Sequence, residues 1–171
     1  NLAFDLIQFG IKPEERVGIC LPNSLEFVVA FFAVLQAGGV VAAMNPQFPA
    51  RELEFQVETS KVKLVITNVA KKNDFASMGT ELKPDIFLVT RQGESHDVSL
   101  TCVTRQHYVS GSEEAEKFPA IDPSAAAVLQ FSGGTTGTPK AAIGMHKNLV
   151  ANVTQFRRWL VNLDDGHETF L

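Results

Sequence analysis

The sequence contains the stretch Leu129-Gln-Phe-Ser-Gly-Gly-Thr-Thr-Gly-Thr-Pro-Lys140, in which glycines and hydroxyl side chains lead to a single lysine. Glycine backbones can approach an anion closely because they lack a Cβ, and their N–H groups can then point at it. The hydroxyl groups and the lysine ammonium add donors that suit phosphate oxygens. We therefore interpret the stretch as a phosphate-binding loop. The residues that we expect to bind phosphate are Ser132, Gly133, Gly134, Thr135, Thr136, Gly137, Thr138 and Lys140.

Short apolar runs flank this stretch on both sides, and each is typical of a β-strand. Residues 125–131 precede it and residues 141–145 follow it, so we predict a loop between two strands. The P-loop of nucleotide triphosphatases is excluded, because its lysine is followed by Ser or Thr at the start of a helix, whereas Lys140 is followed by Ala141. The dinucleotide fingerprint is excluded because Gly133 and Gly134 are adjacent. A solvated loop without a ligand is the alternative for such a composition.

Upstream of the stretch, predicted strands and helices alternate along the chain. Apolar runs predict strands at residues 16–21, 40–44, 62–66 and 86–89. Helical patterns predict four helices. The first ends before Gly10, and the second runs from Asn23 or Ser24 to about Ala37. The third begins at Pro49, and the fourth ends near Met78. Such alternation is typical of an α/β fold with a largely parallel sheet flanked by helices.

One apolar stretch raises the question of a membrane span, because residues 27–44 are interrupted mainly by Gln36, Gly38 and Gly39. These breakers favour a buried helix, a glycine turn and a buried strand over a single span. The N-terminus shows neither the basic segment nor the cleavage site of a signal peptide. We therefore expect no transmembrane segment and no signal peptide.

Two further segments complete the predicted organisation. Residues 90–119 lose the alternating pattern, and we expect an irregular surface connection in which His96 and His107 face solvent. Residues 146–161 predict a helix that begins at His146, for which we favour a structural role over a substrate contact. Its predicted apolar face consists of Leu149, Val153, Phe156 and Leu160, with Arg157 and Arg158 off that face.

The composition restricts the class of protein. With 171 residues and 45% hydrophobic residues, the chain can bury one substantial core. A formal net charge of −4 without a basic block argues against nucleic-acid binding. Cys20 and Cys102 lie far apart in sequence, which suits free thiols in a reducing cytoplasm. No two histidines have the spacing of helical metal ligands, so we predict no structural zinc.

Residues 131–140 resemble, without a gap, the phosphate-binding signature of the adenylate-forming acyl-CoA synthetases, the superfamily that includes luciferases and peptide-synthetase adenylation domains. Ala141 stands where that family usually has glycine. Residues 16–19, 23–27 and 35–49 resemble the family's N-terminal pattern in the same order. The form Phe-Ser-Gly-Gly-Thr-Thr-Gly, followed by His146-Lys-Asn-Leu-Val-Ala-Asn152, is most similar to prokaryotic long-chain fatty-acid-CoA ligases.

This resemblance implies a reaction in two steps. A carboxylate attacks the α-phosphate of ATP to give an acyl-adenylate and pyrophosphate, and the thiol of coenzyme A then displaces AMP. Lys140 is the implied catalytic residue, since it would stabilise phosphate charge together with the loop N–H groups. Mg²⁺ would bridge phosphate oxygens, and either Thr135 or Thr136 could contact it.

The resemblance also implies that residues 1–171 are part of a large N-terminal domain, incomplete at both ends and without the C-terminal domain. The Tyr-Gly-x-Thr-Glu motif, the ribose-binding aspartate, the hinge and the C-terminal catalytic lysine of the family are not in this sequence. We therefore expect the chain alone to be inactive. The implied parent is cytoplasmic, and the resemblance allows a homodimer and peripheral membrane contact. An aryl-acid-CoA ligase, a luciferase-like enzyme and a non-catalytic interaction module remain as alternatives.

Overall fold

The computed structural model describes residues 2–79, 81, 83–89, 102–103, 118–132 and 140–160. Five helices and seven strands lie within these residues. The helices are α1 (Leu2–Gln8), α2 (Leu25–Gln36), α3 (Ala50–Ser60), α4 (Val69–Ala76) and α5 (His146–Trp159). The strands are β1 (Arg16–Cys20), β2 (Val40–Ala43), β3 (Leu64–Asn68), β4 (Asp85–Val89), β5 (Cys102–Val103), β6 (Ala126–Ser132) and β7 (Lys140–Met145).

All seven strands belong to one sheet, in the order β5-β4-β3-β1-β2-β6-β7. The strands from β5 to β6 are parallel to their neighbours, whereas β7 runs antiparallel to β6. The chain passes from β1 to β2 on one side and then crosses to β3 on the other, so the direction of the sheet order reverses at β1. The predicted largely parallel sheet is confirmed, and so is the position of the glycine-rich stretch between two strands.

Helices cover both faces of the central strands, which explains why those strands are apolar almost without interruption. On one face, Val17, Ile19 and Val41 pack with α1 and α2. On the opposite face, Cys20 and Val65 belong to a second core cluster. That cluster includes Leu53 and Val57 from α3 and Phe75 from α4. Each fully buried side chain of this size contributes roughly 1.5–3 kcal/mol, so the two clusters stabilise the sheet from both of its faces.

Helix α2 begins and ends where local sequence signals require. The Ser24 hydroxyl accepts a hydrogen bond from the Phe27 N–H at 3.3 Å, so Ser24 rather than Asn23 is the N-cap. Gly38 follows the helix with a φ of 81°, a conformation that favours glycine. The helix is buried on one side only, because Leu25, Val28 and Phe32 remain exposed on its outer surface. No helix among the described residues combines the length and apolar character needed to span a membrane.

Two predictions about strands were wrong. The third strand was expected at residues 62–66, but β3 starts at Leu64 and continues through Thr67 and Asn68. The polar Thr67 is tolerated in the buried ladder because its hydroxyl donates a hydrogen bond to the Cys20 carbonyl oxygen at 3.0 Å. Residues 90–119 were expected to be an irregular connection, yet β5 extends the parallel sheet beside β4 within that segment. His96 and His107 lie outside the described residues.

Helix α5 forms where the sequence predicts it, but its apolar face is not covered. None of its residues is buried. Val153 is 66% exposed, Phe156 is 49% exposed and Trp159 is 77% exposed, while Leu149 alone of the predicted face packs partly against the core. The periodicity correctly identified the helix, although the buried face that it implied is not formed within the described residues.

Candidate functional site

The two described ends of the glycine-rich stretch face each other across the β6–β7 hairpin. Ser132 is the last residue of β6, Lys140 is the first of β7, and the two are paired in register. The Ser132 hydroxyl donates to the Lys140 carbonyl oxygen at 3.3 Å, and both side chains are exposed. The hairpin therefore brings a hydroxyl and a lysine to the mouth of the loop. The other expected phosphate ligands lie outside the described residues: Gly133, Gly134, Thr135, Thr136, Gly137 and Thr138.

Gln130 lies on the same face of the sheet as Ser132 and Lys140. Alternate residues of a strand point to the same face, and directly paired residues of antiparallel strands share a face. Gln130 is two residues before Ser132 in β6, and its partner in β7 is Ala142, two residues after Lys140. The three polar side chains therefore project from one face of the hairpin.

A cavity of about 500 Å³ lies at the carboxyl ends of β1, β2 and β6, on the face that carries Gln130. Its volume is within the usual range for small-molecule sites. The carboxyl ends of parallel strands, near the point where the strand order reverses, are the common location of ligand sites in open α/β sheets. The lining residues are Leu21, Pro22, Asn23, Phe27, Ala43, Met44, Asn45, Pro46, Gln47 and Gln130.

The lining of this cavity combines apolar residues with carboxamides. Asn23, Asn45, Gln47 and Gln130 are the polar members, and among the described residues that line the cavity none carries a charge. Such a lining can hydrogen-bond an uncharged polar group but offers no counter-ion for a phosphate or a carboxylate. The positive charge that we expect to bind an anion is on Lys140, which is not among the residues that line the cavity.

The turn after β2 forms one wall of the cavity and is fixed by local hydrogen bonds. The Asn45 side-chain oxygen accepts from the Gln47 N–H at 2.9 Å, and the Phe48 N–H donates to the Asn45 carbonyl oxygen at 3.1 Å. Lys71 in α4 donates from Nζ to the Phe48 carbonyl oxygen at 3.0 Å and pairs with Asp74 at 2.7 Å. The wall is therefore held both by its own turn and by a neighbouring helix.

Cys20 lies at the end of β1, directly before the cavity residue Leu21, but its environment does not make it a nucleophile. The side chain is fully buried and forms no disulfide, as the sequence predicts. Burial raises the pKa of the Cys20 thiol to about 11, so the thiol is protonated at neutral pH. In the part of the chain that the structure describes, no three His, Cys, Asp or Glu side chains cluster closely enough to hold a metal ion.

Sequence reasoning identified the hairpin but missed the cavity. Gln130 belongs to residues 129–140 but suggests no ligand by itself, and Asn23 is a residue type typical of a helix cap. The available signal was positional, since Asn23, Asn45 and Gln130 all lie at or just beyond the carboxyl ends of strands. His146 is the first residue of α5, and its backbone N–H donates a hydrogen bond to the Ala125 carbonyl oxygen at 3.2 Å.

Comparison with protein families gives one match that covers the whole chain. A family described as "AMP-binding enzyme" matches residues 1–171. A long-chain-fatty-acid–CoA ligase from Bacillus subtilis is 29% identical over 184 residues, covering 95% of this chain and 33% of the relative. The 4-coumarate–CoA ligase 4 of Arabidopsis thaliana is 31% identical, covering 91% of this chain and 28% of the relative. The chain thus spans about a third or less of these relatives.

Solved structures show the same fold. Apo MatB from Rhodopseudomonas palustris superposes with a TM-score of 0.74 at 20% identity, over 92% of this chain and 30% of that one. A long-chain-fatty-acid-CoA ligase from Archaeoglobus fulgidus gives a TM-score of 0.72 at 22% identity, over 95% of this chain and 32% of that one. At these identities the similarity establishes the fold of the chain.

Proposed function

Because this chain belongs to the AMP-binding enzyme family, we propose that the full-length protein is an adenylate-forming acid–CoA ligase. The observation that carries the proposal is the β6–β7 hairpin, which places Ser132 and the exposed Lys140 at the two ends of a loop rich in glycine and threonine. The two relatives described above support it, since both are named as CoA ligases. The substrates would be a carboxylic acid, ATP with Mg²⁺, and coenzyme A.

The chemistry assigned to this chain is the binding of phosphate. Loop N–H groups and Lys140 would hold the β- and γ-phosphates while a substrate carboxylate attacks the α-phosphate, and they would stabilise charge on the departing pyrophosphate. Mg²⁺ would arrive with ATP, and Thr135 or Thr136 would be the contact to the metal or to a phosphate oxygen. In the second step the coenzyme A thiol would attack the acyl carbonyl, and AMP would leave.

The first test replaces Lys140 with alanine in the full-length protein. Loss of a charge that stabilises the transition state lowers kcat about 100- to 1000-fold, and we expect this loss in pyrophosphate release from ATP and palmitate. Lys140→Arg should retain part of the activity, because the charge is kept while its geometry changes. The matched control is Lys147→Ala, which removes an exposed lysine in the first turn of α5. Equal activity of Lys140→Ala and Lys147→Ala would contradict the proposed role of Lys140 in stabilising phosphate charge.

For the acid, we propose a long-chain fatty acid, supported by the Bacillus relative. An aryl acid is the second candidate, favoured by the identity to the Arabidopsis 4-coumarate ligase. A panel containing palmitate, 4-coumarate and short-chain acids would separate them by kcat/KM. A non-catalytic module would form no acyl-CoA with any acid, although ATP binding alone would not distinguish it from a ligase.

We also propose that residues 1–171 belong to a larger N-terminal domain and do not adenylate an acid by themselves. The support is coverage, because the chain spans only 33% of the Bacillus ligase. Pyrophosphate release by the 171-residue chain with ATP and palmitate would contradict this. The expected cytoplasmic location, peripheral membrane contact and homodimeric parent stay predictions.

A further inference from the structure

A β-bulge lies at the base of the hairpin, where β6 begins its pairing with β7. Ala126 is opposite Met145, whereas Val128 is opposite Gly144. Strand β6 therefore has one residue more than β7 at this point, Ala127, which is fully buried. Ala127 belongs to the same core cluster that Val128 packs against. Because consecutive residues of a regular strand point to opposite faces, the bulge reverses the alternation of side chains along β6.

The pairing beyond the bulge is regular, and it reaches the phosphate-binding residues. Val128, Gln130 and Ser132 are alternate residues of β6, so Ser132 lies on the face that Val128 takes at the bulge. Lys140 is opposite Ser132 and shares that face. A shift of β7 by one residue would turn Lys140 to the other face. The first regular pair, Val128 with Gly144, thus sets the side of the sheet on which Lys140 lies.

Gly144 gives the Val128 side chain the space that this pair requires. A Cβ built on Gly144 would lie 2.7 Å from Val128 Cγ1, closer than real Cβ contacts allow. Backbone freedom is not the reason for the glycine, because the described glycines with a positive φ are Gly10 and Gly38. On the other side of β6, Val128 pairs with the buried Val41 of β2. The valine is therefore accommodated between a buried valine and a residue without a side chain.

We propose that Gly144 is a positioning residue for the phosphate site: the space that it leaves for Val128 keeps β7 in the register that puts Lys140 beside Ser132. This rests on the proposed ligase function, in which Lys140 binds the phosphates of ATP. Gly144 is four residues from Lys140, about 14 Å along an extended strand. It would therefore act through the hairpin and touch no substrate.

The test measures Kd for ATP·Mg²⁺ by calorimetry in the full-length protein. Gly144→Ala adds a methyl group against Val128, so Lys140 should be displaced and Kd should rise about tenfold, as for the loss of a hydrogen bond to a charged group. A merely structural role would lower the binding stoichiometry, because less protein is folded, and would leave Kd unchanged. The control Gly79→Ala adds the same group where nothing lies within 4 Å, and it should leave Kd unchanged.

A compensating variant tests whether the contact with Val128 is the cause. Val128→Ala, introduced into the Gly144→Ala protein, removes the methyl group that the added Cβ meets. Kd should then return to within about threefold of the wild-type value, because the two changes are in direct contact and are not additive. A Kd that stays tenfold raised overturns the proposal, since space for Val128 would not be what Gly144 provides.

A Lys140→Ala background separates this proposal from the ligase function. If Gly144 acts through Lys140, Gly144→Ala should change Kd by less than about twofold once the lysine is absent. The same tenfold rise in both backgrounds, or an unchanged Kd in Gly144→Ala alone, overturns the positioning role and leaves the proposed role of Lys140 intact. A Lys140→Ala protein that binds ATP·Mg²⁺ as tightly as wild type overturns both.

Discussion

The parallel region, by which we mean the elements from α1 to β4, and the β6–β7 hairpin differ in how they are packed. Strands β1 to β3 lie between helices, and their side chains belong to two buried clusters. The hairpin and α5 contribute little to those clusters, and α5 buries no residue at all. The residues suited to phosphate are on the hairpin, while the cavity lies where β2 of the first region meets β6 of the second. Hydrophobic stabilisation and the proposed phosphate site therefore lie largely in different parts of this chain.

The largest effect should follow from removing a side chain in the parallel region. Phe75 in α4 is fully buried, so Phe75→Ala should lower the free energy of unfolding by about 3–5 kcal/mol through lost burial and a residual cavity. Phe156→Ala in α5 removes the same group from an exposed position and should change it by less than about 0.5 kcal/mol. Urea denaturation of the 171-residue chain measures both. Similar losses in the two variants would mean that α5 is packed in solution.

A smaller effect should follow from adding a methyl group inside the hairpin. A Cβ built on Gly144 would lie 2.7 Å from Val128 Cγ1 in the paired strand. Gly144→Ala should therefore cost about 1–3 kcal/mol by overpacking and should disturb the pairing that holds Ser132 opposite Lys140. Gly79→Ala is the control, because its Cβ would meet nothing within 4 Å. Equal urea midpoints for the two variants would show that Val128 can move without cost.

The smallest effect concerns a surface ion pair of the parallel region. Although burial raises the pKa of Glu15, the hydrogen bond from the Lys12 N–H and the contact with Lys63 outweigh it and lower that pKa below its ordinary value. A lowered folded-state pKa stabilises the protein above the unfolded pKa, and this stabilisation is lost as the pH falls through the folded value.

Glu15→Gln should therefore reduce the free energy of unfolding at pH 7 by at most about 1 kcal/mol, since the pair is partly exposed. The difference from wild type should shrink as the pH falls below 4.5, the ordinary carboxyl pKa. A difference that grows toward acid pH would contradict the assigned direction.

The parallel region was predictable because local signals and burial agree there. Continuous apolar runs identified β1, β2 and β4, and Ser24 and Gly38 mark the limits of α2. The third strand was misplaced because Val62 is buried without being in the strand, whereas the polar Thr67 is in the strand, where its hydroxyl is satisfied by a hydrogen bond to Cys20. Strand β5 was missed because its two residues are too short to show a pattern.

The candidate site was predictable only where its residues are close together in the sequence. Ser132 and Lys140 belong to one motif, and their pairing across the hairpin follows from the two flanking strands. The cavity is different, because Asn23, Asn45 and Gln130 come from three strand ends that are distant in sequence. Their proximity depends on the strand order, in particular on the pairing of β2 with β6, and no periodicity in the sequence specifies that pairing.

The pairing of Val41 with Val128 has a kinetic consequence. It joins residues separated by about half of the chain, whereas β1, β2 and β3 pair with partners much closer in sequence. Closing a longer loop costs more entropy, although the cost grows slowly with length, and contacts between distant residues slow folding. We expect the β1–β3 core to form first and the hairpin to dock onto β2 late. During synthesis, the β1–β3 core would therefore fold before β6, the strand that completes the cavity, has emerged from the ribosome.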